Sequence, residues 1–188
     1  MRRFYVSPRT LWVIISVILL AGSVLTILTP DYELLSIGYE LAVVTFMCGM
    51  INIWIAVEHW DTMCGSQLLL ADGLVTMFIS TFLVILEMTS VNLFPITFGM
   101  WEIFSGLFKI AESGRLRSHK IHGWHRFLAV GIIEVVSGIL ILPKEIDDVI
   151  GMHGKVAAVL FLQFIGTLFR IVICKHIIVG INEEMTEA

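Results

Sequence analysis

Six apolar runs, each about 20 residues or longer, fill most of this chain. They extend over Leu11–Thr29, Leu34–Val57, Ser66–Leu86, Asn92–Ala111, Trp124–Leu142 and Val149–Lys175. At a rise of about 1.5 Å per residue, 20 helical residues cover a hydrocarbon core about 30 Å thick. A 188-residue chain has too little interior to hide six such runs from water. Composition agrees: 57% of residues are hydrophobic, mean hydropathy is +0.92 and 15% are charged, against about 25% charged in ordinary soluble domains. The expected fold is an all-α integral membrane protein with six transmembrane helices in one membrane domain, residues 1–188.

The links between runs alternate in length. Short ones follow the first, third and fifth runs, and longer ones near Glu58–Gly65 and Glu112–Gly123 follow the second and fourth. That rhythm predicts three helical hairpins in tandem, with repeat units near 11–57, 66–111 and 124–175. Trp12 and Pro30 frame the first run, and Trp124 and Pro143 frame the fifth at nearly the same spacing. The second helices share Gly49, Gly106 and Gly166, each followed three or four positions later by Asn52, Lys109 or Arg170. Internal repeats of this kind occur in transport folds and in duplicated structural bundles alike.

Basic residues set the expected orientation. With the N-terminus in the cytoplasm, the inner side receives Arg2, Arg3, Arg9, Lys109, Arg115, Arg117, Lys120, Arg126, Arg170 and Lys175. The outer side then receives Lys144 and Lys155. Both termini are therefore expected in the cytoplasm. The run from Thr10 to Pro30 follows Arg2, Arg3 and Arg9 as a signal peptide would, but it is long and lacks a small-x-small cleavage pattern. It reads as a retained first membrane helix.

Charges within the runs are few. The second to fifth runs each hold one interior acid, at Glu40, Asp72, Glu102 and Glu134, and the sixth holds Arg170. Glu102 and Glu134 fall near the bilayer midplane. Asp72 falls about 9 Å in from the cytoplasmic side, at the depth of Arg170, and Glu40 about 9 Å in from the outer side. Ionised and isolated, each acid costs about 2.5–3.5 kcal/mol on insertion scales. The alternatives are a proton, an ion pair or a hydrated cavity, and depth makes Arg170 the candidate ion-pair partner of Asp72. The acids are thus candidates for hydrogen-bonded packing residues, for a proton-titrating or ion-lining pathway, or for contacts in a homo-oligomer.

Glu102 and Glu134 share a setting. Gly99-Met-Trp-Glu102-Ile-Phe-Ser105-Gly106 and Gly131-Ile-Ile-Glu134-Val-Val-Ser137-Gly138 both read G-x-x-E-x-x-S-G. On a helix, the glycines, acid and serine fall on one narrow face. Gly99, Ser105, Gly106, Gly131, Ser137 and Gly138 are candidate helix-packing residues, because small side chains let helices approach closely in lipid. If the two stripes meet, the two carboxyls are expected to share a proton.

Other chemistry is not indicated. No P-loop, dinucleotide fingerprint, nucleophile elbow or HExxH pattern is present, so no catalytic residue, metal or cofactor is expected. Cys48, Cys64 and Cys174 have neither pairing nor metal spacing. His119, His122 and His125 lie among Arg115, Arg117, Lys120 and Arg126. That segment reads as a basic link against anionic headgroups rather than a metal site. The expected partner is the lipid bilayer, with no nucleic acid and no assignable substrate.

The stretch from Phe98 to Ala111, the basic Arg115-Leu-Arg117, Gly123-Trp124, Gly131-Ile-Ile-Glu134, Gly138 and Pro143 together resemble the HdeD acid-resistance membrane protein family. That family is built from two-helix units of the form W…G-I…G-I…P, with a second helix ending G-I-x-x-I. The resemblance covers essentially the whole chain and thins between Trp60 and Asn92, where the glycines and proline of the pattern are missing. It implies a non-enzymatic bacterial inner-membrane protein linked in some members to acid stress. It carries over no catalytic residue and no transported substrate.

Overall fold

The computed structural model describes residues 7–28, 34–61, 63–87, 94–142 and 151–186, with side chains placed for 7–28, 39–61, 63–85, 95–142, 151 and 154–172. These residues form six α-helices: α1 (Pro8–Leu28), α2 (Leu34–Glu58), α3 (Ser66–Glu87), α4 (Phe94–Ser118), α5 (Trp124–Ile141) and α6 (Met152–Thr186). No strand occurs among the described residues. Pro30, Pro143, Lys144 and the acidic turns on the expected outer side fall outside the described residues, as do the side chains of Cys174 and Lys175.

Two helices outrun their sequence-based ends. α4 continues past Ala111 to Ser118. Leu116 supplies the reason, being fully buried one turn beyond Glu112. Arg115 and Arg117 in the last turn favour the negative end of the helix dipole. α6 likewise runs past Lys175 to Thr186. The turns before α3 and α5 are alike: Gly65 (φ 88°) and Gly123 (φ 101°) both take the left-handed conformation that only glycine adopts freely.

The outside of the bundle is apolar, and its interior holds buried charged and polar side chains beside an apolar core. Phe78 is 71% exposed and Leu28 70%, whereas Glu102 and Glu134 are 0% exposed. Such an arrangement suits lipid as the outer solvent. Five helical stretches are long and apolar enough to cross a membrane: Pro8–Leu28, Tyr39–Glu58, Ser66–Ile85, Trp124–Ile141 and Gly154–Val172. α4 has the length, 25 residues or about 37 Å, but it also carries Glu102, Lys109 and Glu112.

Each helix packs on the next along the chain, and α6 packs back on α1. The most intimate pairs are α2 with α3, α4 with α5, and α1 with α6. These pairs straddle the hairpin units read from loop lengths, because glycines decide where backbones touch. Gly106 meets Gly131 and Gly99 meets Gly138, so α4 and α5 run antiparallel. Gly49 meets Gly73 in the same way between α2 and α3. On α1, Gly22 lies against Leu160 of α6, and Ser23 donates to the Ala157 carbonyl at 3.0 Å.

A methyl group at Gly106 would sit 2.6 Å from the Gly131 carbonyl oxygen, too close for any real contact. Gly114, on the same helix, has open space around it. Gly106→Ala is therefore expected to lower stability in detergent by about 1–3 kcal/mol, as overpacking does. Gly114→Ala is expected to be neutral or to stabilise by up to about 1 kcal/mol. Equal effects of the two in reversible unfolding would contradict this packing.

Candidate functional site

The polar residues of α4 recur at helical spacing. Glu102, Ser105, Lys109 and Glu112 follow one another at three or four residues and are all buried. They form one stripe facing the centre of the bundle. α6 presents a matching stripe of Gln163, Thr167 and Arg170, also buried. α5 adds Glu134 and Ser137, α3 adds Asp72, and α2 adds Asn52.

Lys109 organises the upper half of this cluster. Its ammonium donates to Glu134 Oε2 at 2.7 Å, to Gln163 Oε1 at 2.8 Å and to Ser105 Oγ at 2.9 Å. An ammonium has three protons, so its donors are fully used. Gln163 turns its amide nitrogen the other way, donating to Glu102 Oε2 at 2.8 Å and to Ser105 Oγ at 3.0 Å. Ser137 contacts Glu102 Oε1 at 3.3 Å and donates to the Glu134 carbonyl at 2.9 Å. The result is a closed loop of contacts through α4, α5 and α6.

Gly166 makes room for it. A Cβ there would come 3.1 Å from Lys109 Cε and 3.3 Å from Glu134 Oε1. The glycine that sequence reading placed in a repeat motif thus lets α6 lie against the Lys109–Glu134 ion pair.

Arg170 organises the lower half. Its Nη2 donates to Glu112 Oε2 at 2.8 Å, and its Nη1 lies 3.7 Å from Asp72 Oδ2. Asn52 donates to Asp72 Oδ2 at 3.3 Å. The guanidinium also lies over the Phe127 ring, 5.8 Å from its centroid. Between the halves is a cavity of about 30 Å³, lined in part by Asn52, Asp72, Ser105, Lys109, Gln163 and Arg170. That is room for about one or two waters. Among the described residues, Asn52 Oδ1 and Arg170 Nε are buried with no hydrogen-bond partner and would supply polar contacts for them.

The residues singled out from sequence fall into three groups. Asp72, Glu102, Glu134 and Arg170 converge in this cluster. Gly99, Gly106, Gly131 and Gly138 form the α4–α5 contact, and Ser105 and Ser137 bond into the cluster. Glu40 lies apart, exposed beside an apolar groove that Gly22, Leu25, Val44 and Leu160 also line. No hydrogen bond joins Glu102 to Glu134 among the described residues. Lys109 pairs with Glu134, and Gln163 stands between Lys109 and Glu102.

Three participants escaped the sequence reading. By sequence alone Lys109 falls among the cytoplasmic charges, Glu112 in a link, and Gln163 in an otherwise apolar run. The signal was the unbroken three-and-four spacing from Glu102 through Glu112. His119 and His122 lie in the turn between α4 and α5, while His125 begins α5. No group of three metal-ligating side chains occurs among the described residues.

Residues 14–85 and 71–142 each match a family described as a short repeat of unknown function (DUF308). The two matches together span more than half of the chain, and this protein belongs to that family. The first match begins in α1 and the second in α3, so the repeat advances by two helices. No curated protein and no solved structure matches the chain.

Removing one partner of the central ion pair leaves a buried charge uncompensated. Lys109→Met is expected to destabilise the protein by about 3–5 kcal/mol. Adding Glu134→Gln to that variant is expected to restore part of the loss, giving a coupling energy of about 1–3 kcal/mol in a double-mutant cycle. Additive effects would mean that the two side chains do not pair.

Proposed function

We propose that this chain is a non-enzymatic, six-span protein of the bacterial inner membrane, with both termini in the cytoplasm, that acts in the envelope response to acid. The observation that carries the reading is a charge imbalance sealed inside the bundle. Asp72, Glu102, Glu112 and Glu134 are four buried carboxyls clustered with two buried bases, Lys109 and Arg170. Asp72 and Glu112 share one guanidinium. On this reading, that shared guanidinium is the joint that ties α3 and α4 to α6. α4 counts as the sixth span because its charges face inward onto partners, which removes most of the cost of placing them in lipid. The resemblance to the HdeD family supports the location and the link to acid, and with the core residues Lys109 and Arg170 set aside the remaining basic residues still favour the expected cytoplasmic side, eight against two.

A small transporter or ion pathway is the second reading. The cavity between the two ion-pair groups favours a proton or water over any larger solute, because about 30 Å³ admits no organic molecule. Liposomes holding the purified protein separate the two. A conducting protein dissipates an imposed pH gradient, and Asp72→Asn slows it. A protein that senses acid without conducting leaves the gradient intact.

Cells lacking the protein are expected to survive low pH less well than cells that have it. Restoring wild type is expected to rescue them, and Asp72→Asn, which leaves Arg170 paired with Glu112, is expected to fold but to fail in rescue. Unchanged survival of the cells lacking it would overturn the acid role.

A further inference from the structure

Glu102 is fully buried, yet among the described residues no base pairs with it. Lys109, seven residues on in the same helix, spends all three protons on Glu134, Gln163 and Ser105. Glu134, the charged group facing it from α5, is itself an acid. From α6 it meets Gln163, which is neutral. Arg170 is committed to Glu112 and Asp72.

The hydrogen-bond inventory around its two oxygens is asymmetric. Oε2 accepts from the Gln163 amide at 2.8 Å. Oε1 faces Ser137 Oγ at 3.3 Å, but that hydroxyl has one hydrogen and a nearer acceptor in the Glu134 carbonyl at 2.9 Å. When the hydroxyl donates to the carbonyl, its lone pairs face Oε1. A carboxylate oxygen there meets another acceptor. A carboxylic acid places its O–H on Oε1, donates to Ser137 and keeps Oε2 as the carbonyl that Gln163 serves.

We propose that Glu102 is a standing proton-binding site, held as the neutral acid by Gln163 at one oxygen and Ser137 at the other. Charge in the core then divides in three ways, with one negative charge left over at Arg170. Lys109 neutralises Glu134, Arg170 is shared by Asp72 and Glu112, and Glu102 carries its own proton. An uncharged acid at this depth avoids the desolvation that an unpaired carboxylate incurs. The inference concerns the resting core and stands independently of any role in acid survival.

Infrared spectroscopy of the purified protein in lipid tests it. A protonated carboxyl gives a carbonyl stretch that a carboxylate lacks. Wild type at neutral pH is expected to show that band, Glu102→Gln to lose it, and Asp72→Asn to keep it. Glu102→Gln is expected to fold, because an amide also donates from one atom and accepts at the other. Should that variant fail to fold, Ser137→Ala serves in its place. It removes the acceptor of the O–H and is expected to move the band to higher frequency without abolishing it. Absence of the band in wild type, its persistence in Glu102→Gln, or an unshifted band in Ser137→Ala would overturn the proposal.

Discussion

A lysine ammonium in the middle of a bundle with a lipid-facing exterior must satisfy three protons without water. Lys109 does so by drawing one acceptor from its own helix, one from α5 and one from α6. That requirement fixes the rotation of three helices at once. α5 must turn Glu134 inward, α6 must place Gln163 opposite Ser105, and α4 must keep its polar stripe off the lipid. The penalty for failing is large, because an unpaired charge in low dielectric has no solvent to fall back on. Buried ion pairs add little net stability compared with a well-packed apolar core, but they penalise every misregistered arrangement. In this fold the pair specifies register more than it adds stability.

The glycines make that geometry reachable. Gly99, Gly106, Gly131 and Gly138 bring α4 and α5 into backbone contact, which carries Glu134 within reach of Lys109. Gly166 does the same for α6 by leaving space for the lysine stem and a carboxylate oxygen. Small residues and charged residues therefore belong to one device. In lipid no hydrophobic force drives helices together, so close packing and interhelical hydrogen bonds must do it.

Much of this was legible in the sequence. The six apolar runs located the helices, since length and hydropathy alone mark a segment that can span a bilayer. The twin G-x-x-E-x-x-S-G stripes marked the α4–α5 contact, because a helical face can be read from spacing. Depth suggested Arg170 for Asp72. The basic residues of α4 were harder. A lysine or arginine near a helix end normally reaches the interface, which is where sequence alone puts Lys109, while the acid Glu112 falls in a link. Their helix runs on to Ser118 and both side chains are buried, so they face the core of the bundle instead. Gln163 was invisible because a neutral amide declares neither partner nor depth. Its importance comes from the side chains it meets, and the reach of α6 side chains to those of α4 across the bundle is a tertiary fact.

The distance between Lys109 and Glu134 tests the account most directly. Solid-state NMR on protein in lipid bilayers, labelled with ¹⁵N at the lysine side chains and ¹³C at the glutamate carboxyls, reads that pair through its dipolar coupling. The account requires a contact-range coupling, corresponding to Nζ and Oε2 at 2.7 Å, that vanishes in Glu134→Gln labelled only on lysine and glutamate. No such coupling in wild type, with the helices otherwise formed, would contradict it.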